Sequence, residues 1–296
     1  MRVFITGATG FIGSALTAEL ISAGHQVLGL TRSEAGAQAL AAAGAEPYRG
    51  TLDDLEGLQR GAQQADAVAH LAFNHDFSTY MANCEDDRRV VAALGAALAG
   101  SDRPLVVTSG TGMAASGRPL REDDAPASAA QAPRAASEEA ALALAGEGVN
   151  AAIMRLPQVH DTQRQGLLTW AVDVARETGV SAYVGEGTNR WAAAHVSDTA
   201  RLYRLALERG ERGAIYHAVA EEGVAMRDIA GAIGRRLGVR TASIPPEQAG
   251  EYFGWLSMFI GRDGQASSAL TRERLGWRPT GPDLIADLEA KTAVPA

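Results

Sequence analysis

The sequence predicts an α/β fold with a doubly wound parallel sheet and a smaller C-terminal lobe. Two observations near the start of the chain support this prediction. A short apolar run at residues 3–5 breaks into a glycine-rich bend, and apolar residues at helical spacing follow over residues 11–20. A second strand at residues 26–30 then returns within the length of one β-α-β unit.

Gly7, Gly10 and Gly13 occupy the bend between the first strand and the first helix, with the spacing G-x-x-G-x-x-G. Such a bend turns unpaired backbone N–H groups and the positive end of the helix dipole toward an anion, and glycine permits close approach. We therefore expect the bend to hold the pyrophosphate of a dinucleotide. The alternative is a glycine turn that binds nothing.

The amino-acid composition indicates a globular protein and narrows the kinds of molecule that it can bind. The chain has 296 residues, 46% of them hydrophobic, which suffices for one α/β domain or a large domain with a smaller one. Its net charge of -8 argues against nucleic acid or an anionic membrane as a partner. We expect a small-molecule substrate instead.

The single cysteine, Cys84, excludes an intrachain disulfide and a cysteine-based metal cluster, so no metal is expected and a reducing cytosol is favoured. No leader precedes the first strand, and no apolar run approaches the ~20 residues that span a bilayer. We expect a cytoplasmic protein.

The second strand ends at Thr31, Arg32 and Ser33, without a carboxylate. An acidic residue at this place accepts the ribose 2′-OH of NAD, whereas an arginine suits the 2′-phosphate of NADP. Because a guanidinium can hold phosphate through two parallel hydrogen bonds, we predict NADP(H), recognised by Arg32 with Ser33 beside it. The alternative is a solvated arginine on a loop.

The motif T-G-A-T-G-F-I-G at residues 6–13 resembles the extended and atypical short-chain dehydrogenase/reductases, which include the sugar-nucleotide epimerases and dehydratases. Further similarity lies in H-L-A at 70–72, V-V-T-S-G at 106–110, R-L-P at 155–157 and H-V-S-D-T-A at 195–200. The resemblance implies a Rossmann domain over residues 1–157, completed by 190–220, and a substrate-binding lobe mostly within 158–296. It also allows a homodimer.

The resemblance extends the set of cofactor contacts beyond the glycines and Arg32. It implies a backbone contact from Leu52, a lining role for Leu71 and Ala72, and a place for Pro157 against the nicotinamide. The predicted cofactor-binding residues are Gly7, Thr9, Gly10, Phe11, Ile12, Gly13, Arg32, Ser33, Leu52, Leu71, Ala72, Thr108 and Pro157.

The catalytic positions depart from the family pattern. Where the family has Tyr-x-x-x-Lys, this chain has Arg134 and Glu138, and no lysine precedes Lys291. No tyrosine lies between Tyr80 and Tyr183 either. The usual proton relay between tyrosine and lysine is therefore absent.

Other residues near the expected site provide candidate groups for the chemistry. Asp87 lies in the region of a family asparagine, although a solvated acidic face explains it equally well. Gly110 replaces the family serine or threonine, with Thr111 next to it. His160 replaces the tyrosine of Val-Tyr-Gly and is weighed evenly against a structural role. The predicted catalytic residues are Thr111, His160, Asp87 and Arg134.

Three functions follow from these residues. The first is an NADPH-dependent oxidoreductase that reduces a carbonyl or imine of a small organic substrate, with the hydride chemistry supplied by the cofactor. The second is a sugar-nucleotide epimerase or dehydratase, which needs a competent base to start by oxidising an alcohol. The third is a non-catalytic NADP-binding sensor.

Overall fold

In the computed structural model, which describes residues 1–112 and 118–290, seven parallel strands form the main sheet. They are β1 (Arg2–Thr6), β2 (Gln26–Thr31), β3 (Glu46–Arg49), β4 (Ala67–His70), β5 (Leu105–Gly110), β6 (Ala151–Leu156) and β10 (Ile215–His217). Across the sheet their order is β3-β2-β1-β4-β5-β6-β10. The order reverses between β1 and β4, and ligands of such sheets bind at the carboxyl ends of strands at this reversal.

Helices cover both faces of the sheet, as a parallel sheet requires. One face carries α1 (Phe11–Ser22), α2 (Glu34–Ala42) and α7 (Val196–Arg209), and the other carries α3 (Leu55–Gln63), α4 (Tyr80–Leu98) and α5 (Ala136–Gly146). The apolar residues of the strands are buried between these helices. The predicted doubly wound α/β fold is confirmed.

A second lobe contains two smaller sheets. Strands β7 (Gln158–His160), β9 (Arg190–His195) and β11 (Glu221–Ala225) form one, and β8 (Val180–Val184) pairs with β12 (Arg240–Ile244) in the other. A separate core that includes Trp191, Ile229 and Phe253 holds the lobe together. Its helices are α6 (Leu168–Thr178), α8 (Met226–Leu237), α9 (Ala249–Phe253), α10 (Ser257–Ile260) and α12 (Leu284–Glu289). Helix α11 (Ala269–Leu275) instead packs against β10 of the main sheet and against helix α7.

The chain passes more than once between the two lobes. After β9, helix α7 returns to pack on α1, and β10 joins the main sheet beside β6 before β11 re-enters the smaller lobe. Residues 190–195 therefore belong to the lobe sheet, while residues 196–217 complete the nucleotide-binding half. Within the described ranges, no helix is both long and apolar enough to cross a bilayer.

Candidate active site

The glycine bend after β1 leaves the N-terminus of α1 open to an anion. Gly10 caps this helix without a side-chain hydrogen bond, and the first turn contains no acidic residue. Gly7 has a φ of 73°, and a Cβ atom there would lie 2.8 Å from the backbone nitrogen of Ala72. A Cβ atom on Gly13 would lie 2.0 Å from the carbonyl oxygen of Gly7. The bend therefore needs glycine at both positions, and its backbone suits the pyrophosphate of a dinucleotide.

Arg32 lies exposed at the end of β2, next to this bend. Its guanidinium has no hydrogen bond or ion pair with any other residue that the structure describes. Arg49 Nη2 donates to the carbonyl oxygen of Arg32 at 3.1 Å and so supports its backbone. The hydroxyl of Ser33 accepts the N–H of Gly36 at 3.0 Å and caps α2. The Arg32 guanidinium is therefore available to bind a phosphate, whereas the Ser33 hydroxyl also caps a helix.

The segment after β4 is fixed against the glycine bend. Leu71 and Ala72 donate their backbone N–H groups to Thr6 Oγ1 at 3.2 Å each. Leu52 lines a small cavity together with Val90 of α4. These contacts place three of the predicted cofactor residues at the carboxyl edge of the sheet, around the reversal point.

The other predicted cofactor residues lie at the same edge. The hydroxyl of Thr108 lies 2.6 Å from both the carbonyl oxygen of His70 and the Oη atom of Tyr203, so it joins neighbouring elements. Pro157 follows β6 and is half-buried. Thr9 is exposed in the glycine bend, and Phe11 and Ile12 are half-buried in the first turn of α1.

Asp87 of α4 is buried at the centre of the candidate site. His70 Nε2 lies 2.9 Å from Asp87 Oδ1, and His70 Nδ1 lies 2.7 Å from the hydroxyl of Thr6. Because the Thr6 hydroxyl accepts two backbone N–H groups, it donates to Nδ1, and His70 donates from Nε2 to the carboxylate. Ser137 donates to the other carboxylate oxygen.

These partners keep Asp87 ionised. Burial by itself would raise the pKa of this carboxyl, but His70, Arg134 and Ser137 more than offset burial and hold the pKa at about 2. Since this pKa is lowered, the carboxylate stays charged at neutral pH and loses its stabilising charge only as pH falls through about 2. Asp87 therefore cannot serve as a proton donor at neutral pH.

Arg134, which the sequence resemblance aligns with the family tyrosine, points its guanidinium into the site. Nη1 lies 2.9 Å from Asp87 Oδ2 and also contacts Ser137, and Nη2 donates to the carbonyl oxygen of Thr108 at 2.8 Å. The guanidinium lies over the ring of Phe73, 4.3 Å from its centroid. Within residues 1–112 and 118–290, the Nε–H donor and one Nη2–H donor have no partner. The cation therefore retains donors for a ligand.

Glu138, at the family lysine position, is paired with a strand residue. Its two carboxylate oxygens accept from Nε and Nη2 of Arg155 at 2.9 and 2.8 Å, and both side chains are buried. Arg155 Nη1 lies 3.3 Å from His217 Nε2. Burial lowers the pKa of His217, and the nearby charge of Arg155 adds to this, while Glu122 opposes it. Glu138 and Arg155 thus form a buried ion pair.

Thr111 follows Gly110 at the end of β5. Its backbone N–H donates to the carbonyl oxygen of Leu156 at 2.9 Å, and its side chain is buried. The Thr111 hydroxyl makes no hydrogen bond to another described residue. Residues 113–117, which follow it, lie outside the described ranges. The structure thus places Thr111 at the same sheet edge as Arg134.

His160 lies in the smaller lobe and is not grouped with Asp87 and Arg134. Its Nδ1 lies 2.7 Å from Asp287 of α12, and its ring packs edge-on to His195. Burial lowers its pKa, although Asp287 opposes this effect. Nε2 is buried without a hydrogen-bond partner among the described residues. These contacts tie α12 to the lobe sheet.

Several residues of this site were not among the predicted ones. His70 and Arg155 lie in the family motifs at 70–72 and 155–157, but neither motif assigns a role to their side chains. Ser137 has no local sequence signal. The pairing of β1 with β4 places Thr6 opposite His70 and so completes the group around Asp87. Lys291 lies outside the described residues.

Comparison with known proteins agrees with this architecture. The NAD dependent epimerase/dehydratase family matches residues 3–219. A protein of Schizosaccharomyces pombe described as uncharacterized is 47% identical over 289 residues, covering 97% of this chain and 98% of its own.

Two further proteins have more specific descriptions. A 4-hydroxy-2-methyl-3-oxo-4-farnesyl-3,4-dihydroquinoline-1-oxide ketoreductase of Stigmatella aurantiaca is 28% identical, over 73% of this chain and 67% of its own. The solved structure of a dTDP-glucose 4,6-dehydratase of Streptomyces venezuelae, with NAD bound, superposes with a TM-score of 0.78 at 20% identity, covering 98% of this chain and 95% of that one. This structural likeness concerns the fold.

Proposed function

Because the chain belongs to the NAD-dependent epimerase/dehydratase family, we propose that it is an NADPH-dependent reductase of a carbonyl group in a small organic molecule. When bound, NADPH would supply a hydride to the carbonyl carbon and would itself become NADP⁺. The carbonyl oxygen gains a proton and becomes a hydroxyl. The ketoreductase relative from Stigmatella aurantiaca supports this class of reaction.

The observation that carries the proposal is the guanidinium of Arg134 in the place of the family tyrosine. Hydride transfer to a carbonyl develops negative charge on its oxygen, and a fixed cation with free N–H donors stabilises that charge. Asp87 and the carbonyl oxygen of Thr108 hold the guanidinium in position. A protonated imine carries positive charge and would be repelled by Arg134, so we favour a carbonyl over an imine.

The same arrangement argues against epimerisation or dehydration. Those reactions begin with oxidation of an alcohol, which requires a group that accepts its proton. A guanidinium has no acceptor atom for a proton, and Asp87, with its pKa at about 2, has both oxygens occupied by hydrogen bonds. A reduction needs only a proton at the end of the step, and water that reaches the half-buried Arg134 can provide it.

The test is NADPH oxidation at neutral pH with a panel of bulky ketones, cyclic imines and sugar nucleotides. We expect turnover with ketones and little with imines or sugar nucleotides. Turnover of sugar nucleotides without net NADPH consumption would contradict the proposal. Silence across the panel, combined with micromolar binding of NADPH, would indicate a non-catalytic binding protein instead.

The substitution Arg32→Ala tests the choice of cofactor. A charge-assisted pair between the guanidinium and the 2′-phosphate is worth about 1.5–3 kcal/mol, so the Kd for NADPH should rise about 10- to 100-fold. The Kd for NADH should stay within about threefold, because NADH lacks that phosphate. Both constants can be measured by fluorescence titration.

Arg60→Ala is the matched control for this prediction. Arg60 is also a surface arginine, and its ion pairs are with Asp54 and Glu56, so the Kd for NADPH should not change. Equal loss of NADPH and NADH affinity in Arg32→Ala would show that Arg32 does not recognise the 2′-phosphate.

A further inference from the structure

A continuous set of aromatic side chains begins at Arg134 and runs onto the smaller lobe. We call it the aromatic wall; its members are Phe73, Phe77, Tyr80, Trp170, Trp255 and Phe259. Phe73 lies under the Arg134 guanidinium and packs edge-on to Tyr80, with ring centroids 6.3 Å apart. The rings of Phe77 and Trp255 stack at 4.2 Å and 9°. Trp170 continues the set, 5.8 Å from Trp255.

Both lobes contribute to the wall. Phe73, Phe77 and Tyr80 come from the nucleotide-binding half, and the other three rings come from the smaller lobe. The stack of Phe77 on Trp255 therefore spans the boundary between the lobes. The aromatic wall thus joins the two lobes beside the glycine bend. A substrate that receives hydride from a cofactor held in this bend must bind in the same region.

The wall is partly open to solvent. None of its six rings belongs to the buried class, and Trp170 is 42% exposed. Apart from Met1, the exposed large apolar side chains of the described residues are Trp170, Met81 and Met258. Met81 and Met258 are chain neighbours of Tyr80 and Phe259. A set of large apolar side chains that remains partly open to solvent is typical of a binding site.

The position of the wall indicates what covers it. Phe73 directly follows Ala72, whose backbone nitrogen lies against Gly7 of the cofactor bend. At this end of the wall, Arg134 has free N–H donors. A second protein molecule seated on the wall would also cover Phe73 and Arg134, and would block the entry of any substrate. A small molecule with a flat ring system and a carbonyl oxygen matches both ends of the surface.

We propose that the substrate is an aromatic or conjugated ketone whose ring system stacks on the aromatic wall while its carbonyl oxygen meets Arg134. This inference rests on the proposed reductase function and names its substrate class. Aromatic rings favour offset stacking on other rings, an effect beyond the area that they bury. A saturated ring of the same size buries similar area but lacks the flat π face.

The test compares 2-acetylnaphthalene with 2-acetyldecalin, its saturated counterpart, by calorimetric titration with and without NADP⁺. We expect the aromatic ketone to bind about tenfold more tightly and to be reduced with the lower KM. Trp255→Leu should abolish this preference. Tyr183→Leu, which removes a half-buried ring of the same lobe outside the wall, should retain it.

The outcomes separate this proposal from the proposed function. Equal affinity for the two ketones, or a preference that survives Trp255→Leu, would overturn the aromatic substrate while leaving reduction intact. Selective binding of the aromatic ketone without NADPH oxidation would uphold the site and contradict the reductase. A dimer in sedimentation that Trp255→Leu dissociates would show that a second copy covers the wall, and would also overturn the proposal.

Discussion

Replacing Arg134 with methionine is expected to lower kcat/KM for ketone reduction about 10²- to 10³-fold. The methionine fills similar space but cannot stabilise the negative charge that develops on the carbonyl oxygen. The Kd for NADPH should change little, because Arg134 is assigned to the substrate carbonyl and not to the cofactor. Steady-state kinetics and fluorescence titration on the same preparations measure both effects.

Two further variants test whether the loss of activity is due to the guanidinium of Arg134 itself. Arg134→Lys retains the positive charge but loses the planar fork that reaches both Asp87 and Thr108, so an intermediate activity is expected. Arg88→Met removes an arginine of the neighbouring helix that pairs with Glu85 and Glu139, and activity should not change. A value of kcat/KM for Arg134→Met within about threefold of the unmodified protein would contradict the role assigned to Arg134.

The substitution Glu138→Gln is expected to lower the free energy of unfolding by about 3–5 kcal/mol. It removes one charge of the buried pair and leaves Arg155 as an uncompensated cation in the protein interior. Urea denaturation followed by circular dichroism measures the change. Glu138→Lys should be more destabilising still, because two cations would then face each other.

The neighbouring residue Glu139 offers a matched control. Its pair with Arg88 is partly exposed, so Glu139→Gln should cost no more than about 1 kcal/mol. The double substitution Glu138→Leu with Arg155→Met removes both charges and should recover much of the stability. If Glu138→Gln costs less than about 1 kcal/mol, the ion pair does not have the importance that its burial implies.

Because of the buried pair, we expect that introducing a tyrosine at position 134 and a lysine at position 138 would not create a working proton relay. A lysine at position 138 would meet Arg155 of β6, and a tyrosine at position 134 would leave Asp87 without its cation. Either substitution would therefore disturb contacts that join α4, α5 and β6.

The sequence was sufficient to predict the fold and the cofactor bend. The glycine bend can be predicted locally, because the strand, the glycines and the helix follow each other within 20 residues. The doubly wound sheet is then predicted from the alternation of further strands and helices along the chain. Asp87 and Arg134 were found singly, from their positions in the family pattern. Their pairing across 47 residues of sequence was not predicted.

The partners of those residues depend on contacts that no local pattern records. His70 reaches Asp87 because β4 and α4 converge at the sheet edge, and Arg155 reaches Glu138 because β6 lies beneath α5. The contacts of His160 do not follow from the local sequence either. Its side chain suggested a proton donor, whereas its neighbours Asp287 and His195 are residues of the smaller lobe.

The return of the chain to the main sheet also affects how the protein can be made. The edge strand β10 and helix α7 are synthesised only after most of the smaller lobe. A nascent chain on the ribosome therefore cannot complete its nucleotide-binding half until residue 217 has emerged. The core of the nucleotide-binding half includes Tyr203 and Tyr216, so a fragment that ends at residue 157 would lack part of its own core.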